Sequence, residues 1–373
     1  MPHKLKIAAI QMDATPAPTP ERLSRAECLL EEAVTAGAEL VVLPEIFNLG
    51  YHYHDDNFRY AEPINGQTPT WMRRMAEKHK IHIAGTFLLR DGDEVYNTAL
   101  LIAPDGRTWR YDKNYPWGWE RAYFRDSETI TIADTDLGNF GMMICWDYAH
   151  PELWHRYAGQ VDAIIIMSCP PAVDKMRLAF PSKQMKMGGT YYNGADMPFG
   201  SDMDLQAAWM RVPVINTTGS GLFSSHVPRP FMSLLGGSLT QPRLLGNFLQ
   251  AKHVKVEADY YQQTKIVNAH GYVVSRVDHA GDQLTLGEIE LADQTPRPIG
   301  PQPKLPYTRL AYFFSDVSLP WLMLPVYRWG YRRAIGRQMA PVDRSTRFWQ
   351  SVVLGAFSLG WFMGRFVKRK GNQ

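Results

Sequence analysis

The feature that most restricts this chain is a succession of apolar strands alternating with amphipathic helices. Residues 4–12, 39–44, 81–89, 97–103, 139–145 and 163–169 read as strands, most of them apolar on both faces. Thr19-Pro20 opens a helix in which Leu23, Ala26, Leu29, Leu30 and Ala33 recur at helical spacing, and Gly37 ends it. Residues 70–80 read as a second helix and 151–158 as a helical stretch. Further strands follow at 212–217, 265–268, 272–277 and 284–291. A strand that is apolar on both faces needs cover on both sides. The pattern therefore predicts a layered α/β domain with helices outside the sheets, over residues 1–294.

Two segments break the pattern. Residues 226–263, rich in Phe, Leu, Met and Gly, read as an insertion that serves as a lid, a subunit contact or a membrane-facing surface. Beyond it, the Pro-rich stretch 295–306 reads as a linker, and residues 307–373 have a different character. From residue 296 onward there are 13 Lys/Arg against 2 Asp/Glu, a local charge of +11, while the rest of the chain carries −8. Residues 319–329 are apolar and aromatic, and Arg332, Arg333 and Arg337 follow. Residues 348–364 form 17 positions without a charge, between Arg347 and Arg365. That length is at the lower limit for a bilayer span, and Trp, Tyr and Arg suit an interface. Residues 307–373 are therefore expected to be a helical membrane-associating extension, lying in the interface or spanning. The alternative is a helical arm packed on another subunit, with Gly360 and Gly364 allowing close approach. The tail is too apolar to favour nucleic acid.

Three cysteines are too few for a disulfide framework in 373 residues. The apolar run after the first residues is too short for a signal-peptide core. Both point to the reducing cytoplasm, on the cytoplasmic side of a membrane as a peripheral or tail-anchored protein.

Three residues at strand ends stand out. Cys145 ends the apolar run Gly141-Met142-Met143-Ile144, where a thiol can be presented at a sheet edge; read alone, it fits a buried structural cysteine better. Glu45 follows Leu43-Pro44 at the end of another strand. A carboxylate there is partly desolvated, which raises its pKa toward the range useful for proton transfer. Lys113 follows a strand–turn–strand and, alone, reads as a surface lysine.

Their contexts resemble the nitrilase, or carbon–nitrogen hydrolase, superfamily. "KIAAIQMDATP" and "AGAELVVLPEIFNLGY" are similar to the family opening, which ends on Glu45. "YNTALLIAPDGRTWRYDKNYP" is similar to the block that delivers the family lysine, Lys113. "GMMICWDYAHPELWHRYA" resembles the nucleophile block around Cys145, and "VPVINTTGSG" and "KIVNAHGYVVSRV" resemble later core strands. In "WGWERAYF", Glu120 matches the second glutamate of amidase-like members.

The resemblance implies a four-layer αββα sandwich with a helical C-terminal extension, assembled at least as a homodimer. It implies Cys145 as nucleophile, Glu45 as general base and acid, Lys113 as stabiliser of the developing negative charge with the Trp146 amide, and Glu120 as support for the lysine. Trp117, Trp119, Trp146 and Tyr148 are expected near a substrate pocket, though each also reads as ordinary core filling. Cys169 reads more readily as a small packed residue than as pocket lining. No metal or organic cofactor is called for. Asp147 after Trp146, and the short Lys113-to-Glu120 spacing, resemble amidases more than nitrilases. The expected substrate is a small-molecule amide, with a lipophilic one suggested by the tail. A nitrilase, an amide-forming acyltransferase and a non-catalytic membrane scaffold are the alternatives.

Overall fold

The computed structural model describes residues 3–187, 192–193, 197–238 and 241–336. Two sheets stack face to face and join at one seam. In the first sheet, His3–Asp13 pairs antiparallel with Gln283–Leu291 and parallel with Leu40–Val42. His82–Asp91, Glu94–Ile102 and Thr108–Asp112 continue it to the edge. The second sheet runs from Val214–Ser220 through Ala163–Ser168 and Gly138–Ile144 to Ile132–Thr135. Lys265–Val267 and Val273–Arg276 complete its other side. The seam is short: Met12 and Asp13 pair with Gly219 and Ser220.

The strand period of two explains the layering. Leu5, Ile7 and Ala9 belong to the core that fills the space toward the second sheet. Ala8, Ile10 and Met12 pack with the helices Thr19–Thr35 and Gln67–His79. The helices Pro151–Tyr157 and Ser201–Met210 cover the second sheet. The result is the helix–sheet–sheet–helix order expected from the sequence. Gly141 permits one close approach in it. A Cβ there would lie 2.6 Å from Ile164 Cδ1 and 2.8 Å from Tyr157 Cδ1, so the helix carrying Tyr157 settles directly on the strand that ends at Ile144. The Tyr157 hydroxyl then donates to the Met142 carbonyl at 2.7 Å.

The insertion is larger than the sequence pattern indicates. Leu222–His226 and Lys255–Asp259 pair with each other, and the latter pairs with Arg177–Phe180, which in turn pairs with Lys183–Lys186. The helix Pro230–Ser238 and the 3-10 segment Pro242–His253 complete this small subdomain. Two of its four strands thus come from residues well before 226. They are only four residues long, Arg-Leu-Ala-Phe and Lys-Gln-Met-Lys, too short for a strand pattern to mark them.

The segment 295–306 is not a free linker but a strap along the domain. Thr295 Oγ1 donates to Asp162 Oδ1 at 2.8 Å, Ile299 N to the Trp209 carbonyl at 3.0 Å, and Gln206 Nε2 to the Pro303 carbonyl at 2.7 Å. Then Arg309–Tyr312 runs through a π-helical turn, Phe313–Ser318, into the helix Leu319–Ile335. Met323, Val326, Tyr327, Gly330 and Tyr331 are buried on the domain. The tail expected from residue 307 onward is therefore domain-packed over its first part. Residues 348–364 lie outside the described residues, and no described helix is long and apolar enough to cross a membrane.

Tyr327 anchors the docked helix. Its hydroxyl donates to Glu94 Oε2 at 2.5 Å and accepts from Val95 N at 2.9 Å. Tyr327→Phe strands the buried Val95 amide. It should cost about 1–3 kcal/mol, measured by urea unfolding against the parent.

Candidate active site

Both sheets deliver side chains to one point. The first sheet supplies Glu45 beyond the end of Leu40–Val42, Asn97 from Glu94–Ile102, and Lys113 directly after Thr108–Asp112. The second supplies Cys145 directly after Gly138–Ile144 and Cys169 directly after Ala163–Ser168. Glu120 comes from the short 3-10 turn Gly118–Ala122.

Lys113 lies between the two carboxylates. Its Nζ is 2.8 Å from Glu45 Oε1 and 2.7 Å from Glu120 Oε2, and all three side chains are fully buried. Asn97 Nδ2 also donates to Glu45 Oε1 at 2.8 Å, and the Cys169 amide donates to Glu45 Oε2 at 2.7 Å. Glu120 accepts from the Trp117 amide at 2.6 Å and from the Tyr51 hydroxyl. Every carboxylate oxygen therefore has at least one donor, which is what allows two acids into the core. Sequence reasoning missed Tyr51 and Asn97, although both lie inside the quoted family blocks. It also weighed Cys169 as a packed residue or as pocket lining, whereas its backbone amide orients Glu45.

The backbone is strained on both sides of this point. Cys145 has φ +49° and Ile46, directly after Glu45, has φ +47°. A left-handed conformation is costly for a non-glycine residue, and especially so for a β-branched one. Local partners hold each turn. Ile46 N donates to Thr86 Oγ1 at 2.6 Å. Asp147 holds the other: its fully buried carboxylate accepts from Tyr111 Oη at 2.7 Å, Tyr115 N at 2.7 Å and Ile144 N at 3.0 Å. Asp147 thus has a structural task, fixing the turn that presents the thiol.

The electrostatics follow from burial. It raises the Glu45 carboxyl to about 7, with the Glu120 charge adding to it and Lys113 opposing it. Burial also lifts the Cys145 thiol well above its usual range, with Glu45 adding to it and Lys113 and the Cys169 amide opposing. For Lys113, burial would lower the ammonium, but Glu120 and Glu45 outweigh it and hold the charged form firmly. The site thus contains a neutral thiol, a fixed cation and a carboxyl that titrates near neutrality.

The aromatic residues divide. Trp117 and Trp119, on either side of Gly118 and just before Glu120, line an apolar cavity, and Trp119 Nε1 donates to Ser233 Oγ at 3.1 Å. Trp146 is nearly buried, with its Nε1 donating to Asp316 Oδ1 at 3.1 Å. Tyr148 is fully buried; its hydroxyl engages Asp202, Tyr307 and the Phe199 amide, and its ring lies 3.9 Å from that of Phe199. That side chain is packed in the core. Asp316 was not anticipated. It is the lone charged residue between 310 and 327, which is the signal that could have found it. Besides Trp146 it meets His150 Nε2 at 3.1 Å, while His150 Nδ1 meets the Trp146 carbonyl at 3.0 Å. Both contacts are hydrogen bonds only in the imidazolium form, in which each nitrogen donates. Among the described residues, no cluster of His, Cys, Asp or Glu could hold a metal.

Comparison with known proteins agrees with this geometry. Residues 6–190 match the carbon–nitrogen hydrolase family. A nitrilase of Pyrococcus abyssi is 32% identical over 152 residues, covering 40% of this chain and 58% of the relative. An omega-amidase of Saccharomyces cerevisiae is 32% identical over 174 residues, again 40% and 58%. The chain thus spans a little over half the length of these curated relatives. In fold it resembles a carbon–nitrogen hydrolase superfamily protein of Xanthomonas campestris whose structure has an arsenic adduct in the active site. The TM-score is 0.56 at 17% identity, over 78% of this chain and 91% of that one.

Removing the cation should be more damaging than any other single change in this cluster. Lys113→Ala leaves two buried carboxylates facing each other. A loss of about 3–5 kcal/mol is expected, measured by urea unfolding at pH 8, with partial recovery in the Lys113→Ala/Glu120→Gln double variant.

Proposed function

We propose, from a chain whose residues 6–190 match the carbon–nitrogen hydrolase family, that Cys145 hydrolyses a carboxylic amide through a thioester. The observation that carries this reading is the buried Glu45–Lys113–Glu120 cluster at the strand end beside Cys145. Glu45 accepts the thiol proton as Sγ attacks the carbonyl carbon. A thiol held above its usual range calls for a base at that moment, and a carboxylate titrating near 7 is matched to the task. The tetrahedral oxyanion is stabilised by Lys113 Nζ and by the Trp146 amide, which lies in the first turn after the nucleophile. Collapse breaks the C–N bond, and the leaving amine takes the proton from Glu45. Water then attacks the thioester, Glu45 removes its proton, and collapse breaks the C–S bond; Cys145 takes that proton back from Glu45 as the carboxylic acid is released. Glu120 positions the lysine.

The assay is acid release from a matched amide and nitrile with the same side chain. Turnover of the amide, abolished in Cys145→Ala, is expected; acid from the nitrile alone would make the chain a nitrilase. Because Glu45 must be ionised to accept the proton, kcat/KM for the amide should rise with pH through about 7 and fall below it. Glu45→Gln should leave too little activity for that limb to be measured.

Asp316 acts through Trp146 and His150 as a positioning residue. Asp316→Asn should lower kcat about tenfold, a loss of roughly 1.4 kcal/mol in transition-state stabilisation, with KM little changed. An equal rise in KM would place it in substrate binding instead.

The wider setting is part of the same reading. The exposed Trp321 and Trp329, with Arg332 and Arg333 beyond them, suit contact with anionic lipid at the cytoplasmic face of a membrane, and the enzyme is taken to work as a homo-oligomer. Co-sedimentation with phosphatidylserine vesicles tests the first point. Trp321→Ala/Trp329→Ala should weaken it severalfold, and sedimentation equal to the parent would exclude this face.

A further inference from the structure

The insertion subdomain, the docked helix with the turn before it, and the turn Gly118–Ala122 enclose a cavity that the proposed chemistry does not use. The space between them is about 860 Å³ when the open solvent at its mouth is included. Three parts of the chain wall it. Trp117 and Trp119 come from the turn that carries Glu120. Leu234 and Leu244 come from the insertion, and Leu319 and Leu322 from the docked helix. Two walls therefore abut the reacting groups: one segment carries Glu120, and the other, through Asp316, holds the side chain next to Cys145.

The chemistry of the lining is uniform. None of the lining side chains is charged, and apart from the tryptophans only serines are polar. Of these, Ser233 is already engaged, accepting from Trp119 Nε1 and donating to the Pro228 carbonyl at 2.6 Å. A polar or ionic substituent entering here would lose its water without gaining partners. An alkyl chain would lose nothing. Leu235, Leu245 and Trp321, the chain neighbours of lining residues Leu234, Leu244 and Leu322, are exposed at 47%, 51% and 64%, so the same segments also present apolar surface to solvent.

We infer that this cavity is the acyl-chain subsite of the enzyme, and that its substrates are amides of medium- to long-chain aliphatic acids. The inference rests on the amide-hydrolase reading of Cys145. The amide end lies at Cys145 and Lys113, and the chain passes Trp117 and Trp119 into the space between the insertion and the docked helix.

Gly236 offers a way to fill the subsite. It lines the cavity, and a Cβ there would meet only Leu322 Cδ1, at 3.8 Å, an ordinary contact. Gly236→Leu also replaces a helical glycine with a good helix former. The experiment measures kcat/KM for unbranched primary amides from propionamide to dodecanamide. In the parent, kcat/KM should climb about threefold to fourfold per methylene until the cavity is full. In Gly236→Leu the octanamide-to-propionamide ratio should fall at least tenfold, while Leu322→Ala should move the optimum to longer chains. A parent ratio that is flat with chain length, or a ratio untouched by Gly236→Leu, overturns the subsite and leaves amide hydrolysis standing. If no amide is turned over, the chemistry fails and the cavity is read by binding. Dansyl-undecanoic acid should then brighten on the Cys145→Ala protein and not on Cys145→Ala/Gly236→Leu. Equal brightening on the two overturns the subsite.

Discussion

The structure depends on one ammonium group shared by two buried carboxylates. Glu45 and Glu120 are both fully buried, and neither could be ionised there without Lys113 at 2.8 and 2.7 Å. One cation for two acids leaves the cluster short by one charge. Burial resolves the shortfall by lifting Glu45 toward neutrality rather than by admitting a second base. The same imbalance that makes the cluster costly to fold supplies a carboxyl able to take up and release a proton near pH 7. The amides of Trp117 and Cys169 complete it, so the backbone at the ends of two layers is committed to holding three side chains.

Most of the layered core is legible in the sequence because its strands are apolar on both faces and its helices have one apolar stripe. Two of the strand ends are legible too, since Glu45 and Cys145 directly follow apolar runs, whereas Lys113 follows the mixed stretch Trp109-Arg110-Tyr111-Asp112. What the residues alone do not convey is which strand ends meet. That information lies in the stacking of two sheets that pair at only two residue positions, Met12–Gly219 and Asp13–Ser220. The three lone readings became a single site only through resemblance to a family. Asp147 illustrates the limit from the other side. Its position after Trp146 reads as a marker of substrate type, whereas its carboxylate holds three donors around the nucleophile turn. Tyr148 is similar: a tyrosine three residues from the nucleophile reads as lining, and its ring is core.

The insertion and the extension were harder to read, for opposite reasons. The insertion's first two strands are only four residues long, and the one that joins them to the rest, Arg177–Phe180, finds its partner Lys255–Asp259 far along the chain. The extension is so rich in Trp, Leu and Arg that composition alone points to lipid, yet Met323, Val326, Tyr327 and Tyr331 find protein to pack against. Periodicity could have separated the two: the buried positions fall on one face of the helix, while Trp321 and Trp329 fall on another. Asp316 links this helix to the turn at Cys145, so the extension is part of the site and not an appendage to it.

The seam between the sheets also sets when the enzyme can become reactive. Glu45, Asn97 and Lys113 all belong to the first sheet, whereas Cys145 and Cys169 belong to the second. The second sheet's central strand, Val214–Ser220, is made more than 60 residues after Cys145. The first sheet is completed only by Gln283–Leu291. On a ribosome, the thiol therefore emerges long before the layers that give it a base can close. Until then Cys145 is a cysteine without the buried Glu45–Lys113–Glu120 cluster at its strand end.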